Sequence, residues 1–397
     1  MKVLTVMGTR PEIIRLSAVV ERLDATVDHV LVHTGQNLDP RLHDLFFDDL
    51  GVRRPDVQLD IAAPTAGRRM ANVLALCDDV LATERPDRVL ILGDTDSGLA
   101  GFLAKRRGIP VFHMEAGNRC HDERVPEEIN RRVIDHSSDV LLPYTNSSRD
   151  NLRREGIEAA RIRVTGNPIL EVMERQRAAI DRSEVLDRLG LAPTGFVIMT
   201  AHRQENVDVA ERLAQIAEAA AAIAERHGLP VVWPVHPRTA DRLASQPALT
   251  RRLSAADVRL EAPMGFHDFV HLERAAWCAV TDSGTVQEEC CLLGTPTVTI
   301  RESTERPETV DCGSNLVTGV EAAAVLAGIT TITGRRGRWT PPPEYLRTDV
   351  SATVAALLAA ATLPGAPAPA TRRPGPARHA RVGGQYRRDV VDQGDPQ

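Results

Sequence analysis

Short apolar runs recur along the chain and alternate with longer helical stretches. VLTVMG (3–8), VDHVLVHTG (27–35), DRVLILGD (87–94), IPVFHMEAG (109–117) and DVLLPY (139–144) read as strands. Glu12–Leu23, Met70–Thr83 and Thr95–Arg107 read as helices between them. Apolar runs bounded by turns and joined through helices predict βαβ units and a parallel sheet. The pattern restarts after RIRVTGNP (161–168), with FVIMTAHRQEN (196–206), LPVVWPVHP (229–237), VRLEAP (258–263), CAVTDSG (278–284) and TPTVTIRE (295–302) as strands. The chain is therefore expected to be α/β, with two parallel halves in tandem, 1–166 and 167–347, divided near Gly166–Pro168. A late helix near Thr348–Ala361, within 348–362, is expected to cross back onto the first half. From Leu363 to Gln397, Pro, Gly, Ala and Arg dominate and the periodicity vanishes, the composition of a disordered tail.

Composition narrows the class. A length of 397 residues exceeds a typical single domain. The net charge of -6 argues against a nucleic-acid partner, which usually demands a basic surface. Lysine is confined to Lys2 and Lys105, and arginine carries the remaining basic charge. The opening MKVLTVMGTRP lacks the pattern of a signal peptide, and no apolar run approaches the ~20 residues of a membrane span. Cys77, Cys120, Cys278, Cys290, Cys291 and Cys312 form no CxxC pair and no zinc spacing. Reduced thiols and a cytoplasmic location are expected.

Unusual residues concentrate at strand ends, where open α/β sheets bind ligands. In GTRPEIIR (8–15), Arg10 stands beside a helix N-terminus, a place that attracts anions or an acidic partner. In ILGDTDSG (91–98), Asp94 is either an N-cap or a site carboxylate. In VFHMEAGNRCHDERVPEEINRR (111–132), Glu115 ends a strand; it either pairs with Arg119 or Arg124 or faces a site. Glu127 opens a helix after Pro126, where acids are ordinary. If Asp94, Glu115 and Glu127 converge, their like charges raise one another's pKa and separate acid from base, as proton removal and return at carbon requires. In TAHRQEN (200–206), His202 is a structural histidine or a basic group at the second half's equivalent edge. In VTDSGTVQEECCLLGTP (280–296), Ser283 and the amides of Gly284 and Thr285 suit a phosphate, and a glutamate one turn on suits ribose hydroxyls. Arg306 in STERPE (303–308) follows the next strand towards the same edge.

With these residues in view, the chain resembles the non-hydrolysing UDP-N-acetylglucosamine 2-epimerases of bacteria. GTRPE, GDTDS, HMEAG, VPEEINR, AHRQEN, TDSGTVQEE and TERPE occur in that family's order, and the likeness covers roughly residues 1–360. It implies two Rossmann-like doubly wound domains facing a cleft, in the glycosyltransferase-B arrangement. It also implies a homodimer, a UDP-sugar substrate, and no metal or other cofactor. Asp94, Glu115 and Glu127 match the catalytic carboxylates. His202, Ser283, Gly284, Thr285, Glu289 and Arg306 match nucleotide and phosphate contacts, with His202 also placed among the catalytic groups. Arg10 matches a substrate-binding arginine, and Met264 and Phe269 match substrate-side positions, Phe269 near the uracil. Arg15 stands where many members have lysine; the charge is kept on a bulkier, forked group. The implied chemistry removes the C2 proton, breaks the C1–O bond to UDP to give a glycal, and returns UDP after protonation from the other face. HMEAGNRCHDERVPEE looks more like the branch that acts on modified UDP-amino sugars, such as diacetamido-uronic acids or 6-deoxyhexosamines. HPRT (236–239) departs from the pattern that accompanies activation by substrate, so that property is not carried over. A retaining glycosyltransferase, a hydrolysing epimerase and a catalytically silent nucleotide-sugar binder are the other readings.

Overall fold

The structure, a computed structural model, describes residues 1–36 and 40–360. The tail expected over 363–397 lies outside the described residues. The first sheet contains β1 (Lys2–Met7), β2 (Asp28–His33), β3 (Val57–Gln58), β4 (Arg88–Leu92), β5 (Val111–Met114) and β6 (Val140–Leu142), ordered β3-β2-β1-β4-β5-β6. The second contains β7 (Val197–Thr200), β8 (Val231–Pro234), β9 (Val258–Glu261), β10 (Cys278–Thr281), β11 (Thr297–Thr299) and β12 (Asn315–Val317), ordered β12-β11-β10-β7-β8-β9. Every pairing between these strands is parallel. Both sheets thus share one doubly wound order, and each reverses between its first and fourth strands.

The apolar runs lack alternation because both sheet faces are covered. In β1, Val3 and Met7 enter one core with Leu90, Phe112 and the 10–26 helix. Leu4 and Val6 enter the opposite core with Val89, Ile91 and the 66–84 helix. The second sheet repeats this: Val197 and Met199 face one core, Phe196 and Ile198 the other.

The strands β3 and β12 were not expected from the sequence. Both are short edge strands, and β3 is only partly covered, so neither carries a strong apolar signal. The late helix spans Val350–Ala359, and its Val350, Val354, Ala355 and Leu358 join the first core beside Leu16, Val19 and Leu23. Arg88 Nη2 donates to Ala360 O at 2.6 Å and closes that helix end. The Ile169–Asp181 helix also packs into the first core, through Ile169, Val172, Met173 and Ile180. We propose that the lobes divide near Gly166–Pro168 and that both of these helices serve the first lobe.

Candidate active site

Local backbone chemistry aims the strand-end loops. A Cβ at Gly8 would lie 2.1 Å from Thr34 Oγ1 and 2.3 Å from Ser97 Oγ, so the turn out of β1 has no room for a side chain. Glu12, buried in the first helical turn, accepts from Gly8 N (2.8 Å), Thr9 N (2.7 Å) and Thr95 Oγ1 (2.9 Å). Burial pushes its carboxyl up to about 7 against those hydrogen bonds. One side chain therefore ties the Arg10 loop to the loop carrying Asp94.

Glu115 follows β5 with φ of 65°, the left-handed region that non-glycine residues seldom adopt. Neither arginine nearby in sequence takes its carboxylate: Arg119 pairs with Asp135 and Glu155, and Arg124 with Asp122. Instead Glu115 Oε2 meets Arg15 Nη1 at 2.5 Å, and Oε1 meets Arg306 Nη2 at 2.7 Å. Glu288 closes a ring, accepting from Arg306 Nε at 2.5 Å and from Arg15 Nη2. Two members come from each lobe, and none of the four side chains is more than 6% exposed. Burial pushes the Glu115 carboxyl up, but Arg15 and Arg306 outweigh it and hold the group below its ordinary value. The mutual raising expected of three converging acids therefore does not describe Glu115.

The other two acids are neighbours, and of the two Asp94 pairs with Arg131. Asp94 Oδ2 lies 2.5 Å from Arg131 Nη2, whose Nη1 reaches Glu128 at 2.6 Å. Thr95, not Asp94, occupies the cap position of the turn that follows. Glu127 is half-buried and stands 3.7 Å from Arg203 of the second lobe. Burial raises its pKa and neighbouring Asp94 adds to that, with Arg203 opposing.

Across the cleft, Asp282 ends β10 fully buried and organises the loop after β7. It accepts from His202 N at 3.0 Å, Arg203 N at 2.9 Å and Asn206 Nδ2 at 3.0 Å. Asp282→Asn keeps the shape but loses acceptor capacity, leaving a buried donor unmet. A loss of about 1–3 kcal/mol is expected, read as a lower Tm by scanning calorimetry. Arg10 forms no ion pair among the described residues and lies 5.8 Å from the Phe46 ring centroid. Burial lowers its pKa, and burial followed by the charges of Arg203 and Arg10 lowers that of His202, although Asp282 opposes. Arg10 thus brings a charge without a carboxylate partner to this region, while Arg203 opposite is paired with Glu305 at 2.8 Å.

The Gly284–Leu293 helix begins beside this region, and the Ser283 side chain makes no capping hydrogen bond. Its first amides have no partner within the helix. A Cβ at Gly284 would lie 2.9 Å from Glu305 Oε1, so glycine lets this end approach the Glu305–Arg306 segment without displacing that carboxylate. Met264 and Phe269 pack, half-buried, on the core that contains Val286. Glu289 is buried against Glu273 of the Phe266–Ala275 helix.

A profile described as UDP-N-acetylglucosamine 2-epimerase matches residues 21–359. The chain belongs to the UDP-N-acetylglucosamine 2-epimerase family. The UDP-N-acetylglucosamine 2-epimerase of Methanocaldococcus jannaschii is 36% identical over 347 residues, 86% of this chain and 95% of the relative. The UDP-2,3-diacetamido-2,3-dideoxy-D-glucuronate 2-epimerase of Pseudomonas aeruginosa is 37% identical over 339 residues, 84% and 93% respectively. The crystal structure of the Methanocaldococcus jannaschii UDP-GlcNAc 2-epimerase, in complex with UDP-GlcNAc and UDP, superposes with a TM-score of 0.86 at 35% identity. That superposition covers 90% of this chain and 99% of the other. The two-lobed α/β arrangement is therefore the glycosyltransferase-B-like fold of these epimerases, and the chain is a UDP-sugar 2-epimerase, an isomerase.

Of the residues singled out in this epimerase's sequence, Arg15, Glu115 and Arg306 join one ring, while Asp94 pairs with Arg131 and Glu127 stands between Asp94 and Arg203. Glu289 lies apart from that ring. Sequence reasoning missed Glu288, Arg131, Asp282 and Glu12. Glu288 carried a signal: it is four residues from Gly284 and three from Thr285, on the face of the helix that presents its N-terminus. Arg131 carried a weaker one, three residues after Glu128 in VPEEINRR.

Proposed function

We propose that the enzyme interconverts UDP-N-acetylglucosamine and UDP-N-acetylmannosamine by eliminating and re-adding UDP through a glycal. The observation that carries this reading is the placement of Asp94, Glu115 and Glu127 on one lobe against Arg203, Arg306 and a helix N-terminus on the other. The diphosphate sits at Ser283, Gly284 and Thr285, with Arg10, His202 and Arg306 around it. Glu289 accepts the ribose hydroxyls, and Met264 and Phe269 flank the uracil. A carboxylate takes the C2 proton, the C2–H electron pair becomes the C1–C2 double bond, and the C1–O pair leaves with UDP. The charge gained by UDP falls among cations already fixed in place, which lowers the barrier to departure. UDP then re-adds at C1 as C2 is protonated on the opposite face.

The acids divide by environment. Glu127, raised by burial, is suited to hold a proton. Glu115 is a weak base while two arginines clamp it. A diphosphate that draws Arg306 and Arg15 towards itself returns Glu115 towards its ordinary basicity, so substrate binding arms the base.

Similarity to the Pseudomonas aeruginosa diacetamido-glucuronate epimerase supports a second reading, the same chemistry on a modified UDP-amino sugar. Incubation with UDP-N-acetylglucosamine in D2O, followed by NMR, separates the two. Deuterium at C2 in an epimer still attached to UDP is expected. Exchange only with a diacetamido or 6-deoxy analogue selects the second reading, and exchange with none of them removes both. A homodimer in the cytoplasm is part of the proposal; light scattering on the purified chain tests its assembly state.

A further inference from the structure

Behind the 284–293 helix two carboxyl groups meet where no cation among the described residues forms an ion pair with either. Glu273 is 0% exposed and Glu289 3%. Neither side-chain oxygen of Glu273 has a hydrogen-bond partner of ordinary donor type among the described residues. The group within reach is the Glu289 carboxyl. Thr295 Oγ1 donates to the Glu273 main-chain oxygen at 2.9 Å, which fixes the helix but leaves the side chain unserved. The charges of Arg15 and Glu288 also reach Glu289, and those of both acids reach Cys290. Two buried carboxylates in contact repel, whereas one proton between them satisfies both.

We propose that Glu273 is a positioning residue: it retains a proton and donates it to Glu289, orienting the remaining Glu289 lone pairs towards the ribose hydroxyls of the bound nucleotide. This rests on the proposed placement of the ribose at Glu289. Burial pushes both groups up, Glu273 well above the usual range and Glu289 to about 8. Because these folded-state values are raised, the pair is well accommodated while protonated. Its cost appears as pH rises from the ordinary carboxylate value of 4.5 through about 8.

Calorimetric titration with UDP at about pH 7.5, above the ionisation of the UDP phosphate itself, tests the assignment. Glu273→Gln carries a donor that does not titrate, so it should bind UDP like wild type. Glu273→Met, which has no donor, should bind about tenfold more weakly and raise KM with kcat unchanged. A Met variant that keeps wild-type affinity overturns the assignment, and so does a Gln variant that loses it, which decides the matter if the Met variant does not fold. 2′-Deoxy-UDP separates the ribose placement from the role of Glu273. Equal wild-type affinity for it and for UDP removes the ribose placement itself. Discrimination against it, with a weakened Gln variant, removes only the role of Glu273.

Discussion

Glu115→Gln is expected to lower epimerisation by about 100–10,000-fold, the range a positioned acid or base supplies. It is also expected to destabilise the fold. The carboxylate receives Arg15 on one oxygen and Arg306 on the other, and both contacts are buried. An amide presents one oxygen and one NH2 group, so one arginine then faces a donor, and the ring keeps two guanidinium charges against one carboxylate. Breaking a buried pair on one side costs about 3–5 kcal/mol. The two effects are separable with Glu288→Gln, which removes the same charge from the same ring but from the second lobe. Denaturant unfolding should report similar losses for the two variants. Turnover at saturating substrate should collapse only in Glu115→Gln. Equal turnover loss would assign the ring to lobe closure and remove Glu115 from proton transfer.

Asp94→Asn should give a comparable loss of turnover, again about 100–10,000-fold, with little loss of stability. The difference lies in what remains. Arg131 keeps its 2.6 Å contact with Glu128 when Asp94 loses its charge, so no buried guanidinium is left alone. The Asp94 main-chain oxygen still accepts from Asn130 Nδ2 at 3.1 Å, which holds the loop. UDP binding should persist, because none of the groups proposed for the diphosphate changes. The checks are loss of C2 deuterium exchange beside an unchanged UDP titration. Wild-type exchange in the Asn variant would leave Arg131 as a purely structural anchor for Asp94.

These expectations draw on pairings the sequence could not supply. Arg15 and Glu288 are 273 positions apart, and Glu115 and Arg306 are 191 apart. GTRPEIIR, HMEAG and TERPE each announce a charged strand end, yet nothing in any of them says which acid meets which base. Short separations proved misleading, since Arg119 and Arg124 turn to other acids. QEE offered two glutamates at the start of one helix. Their roles diverge because one lies on the face towards Arg306 and the other lies towards Glu273 on the neighbouring helix.

What the sequence determined by itself was the alternation of buried strands and helices, the restart that makes two lobes, and the strand ends at which ionisable residues stand. It determined these because strands covered on both faces are predominantly apolar, so the ionisable residues that follow them stand out at their ends. The tertiary structure alone decided the edge strands β3 and β12, the core that the last helix shares with Leu16, Val19 and Leu23, and the ring of Arg15, Glu115, Arg306 and Glu288. The physical reason is that ion pairing depends on distance in space and on the absence of water. Both are set only when two lobes, each folded around its own core, close on one another.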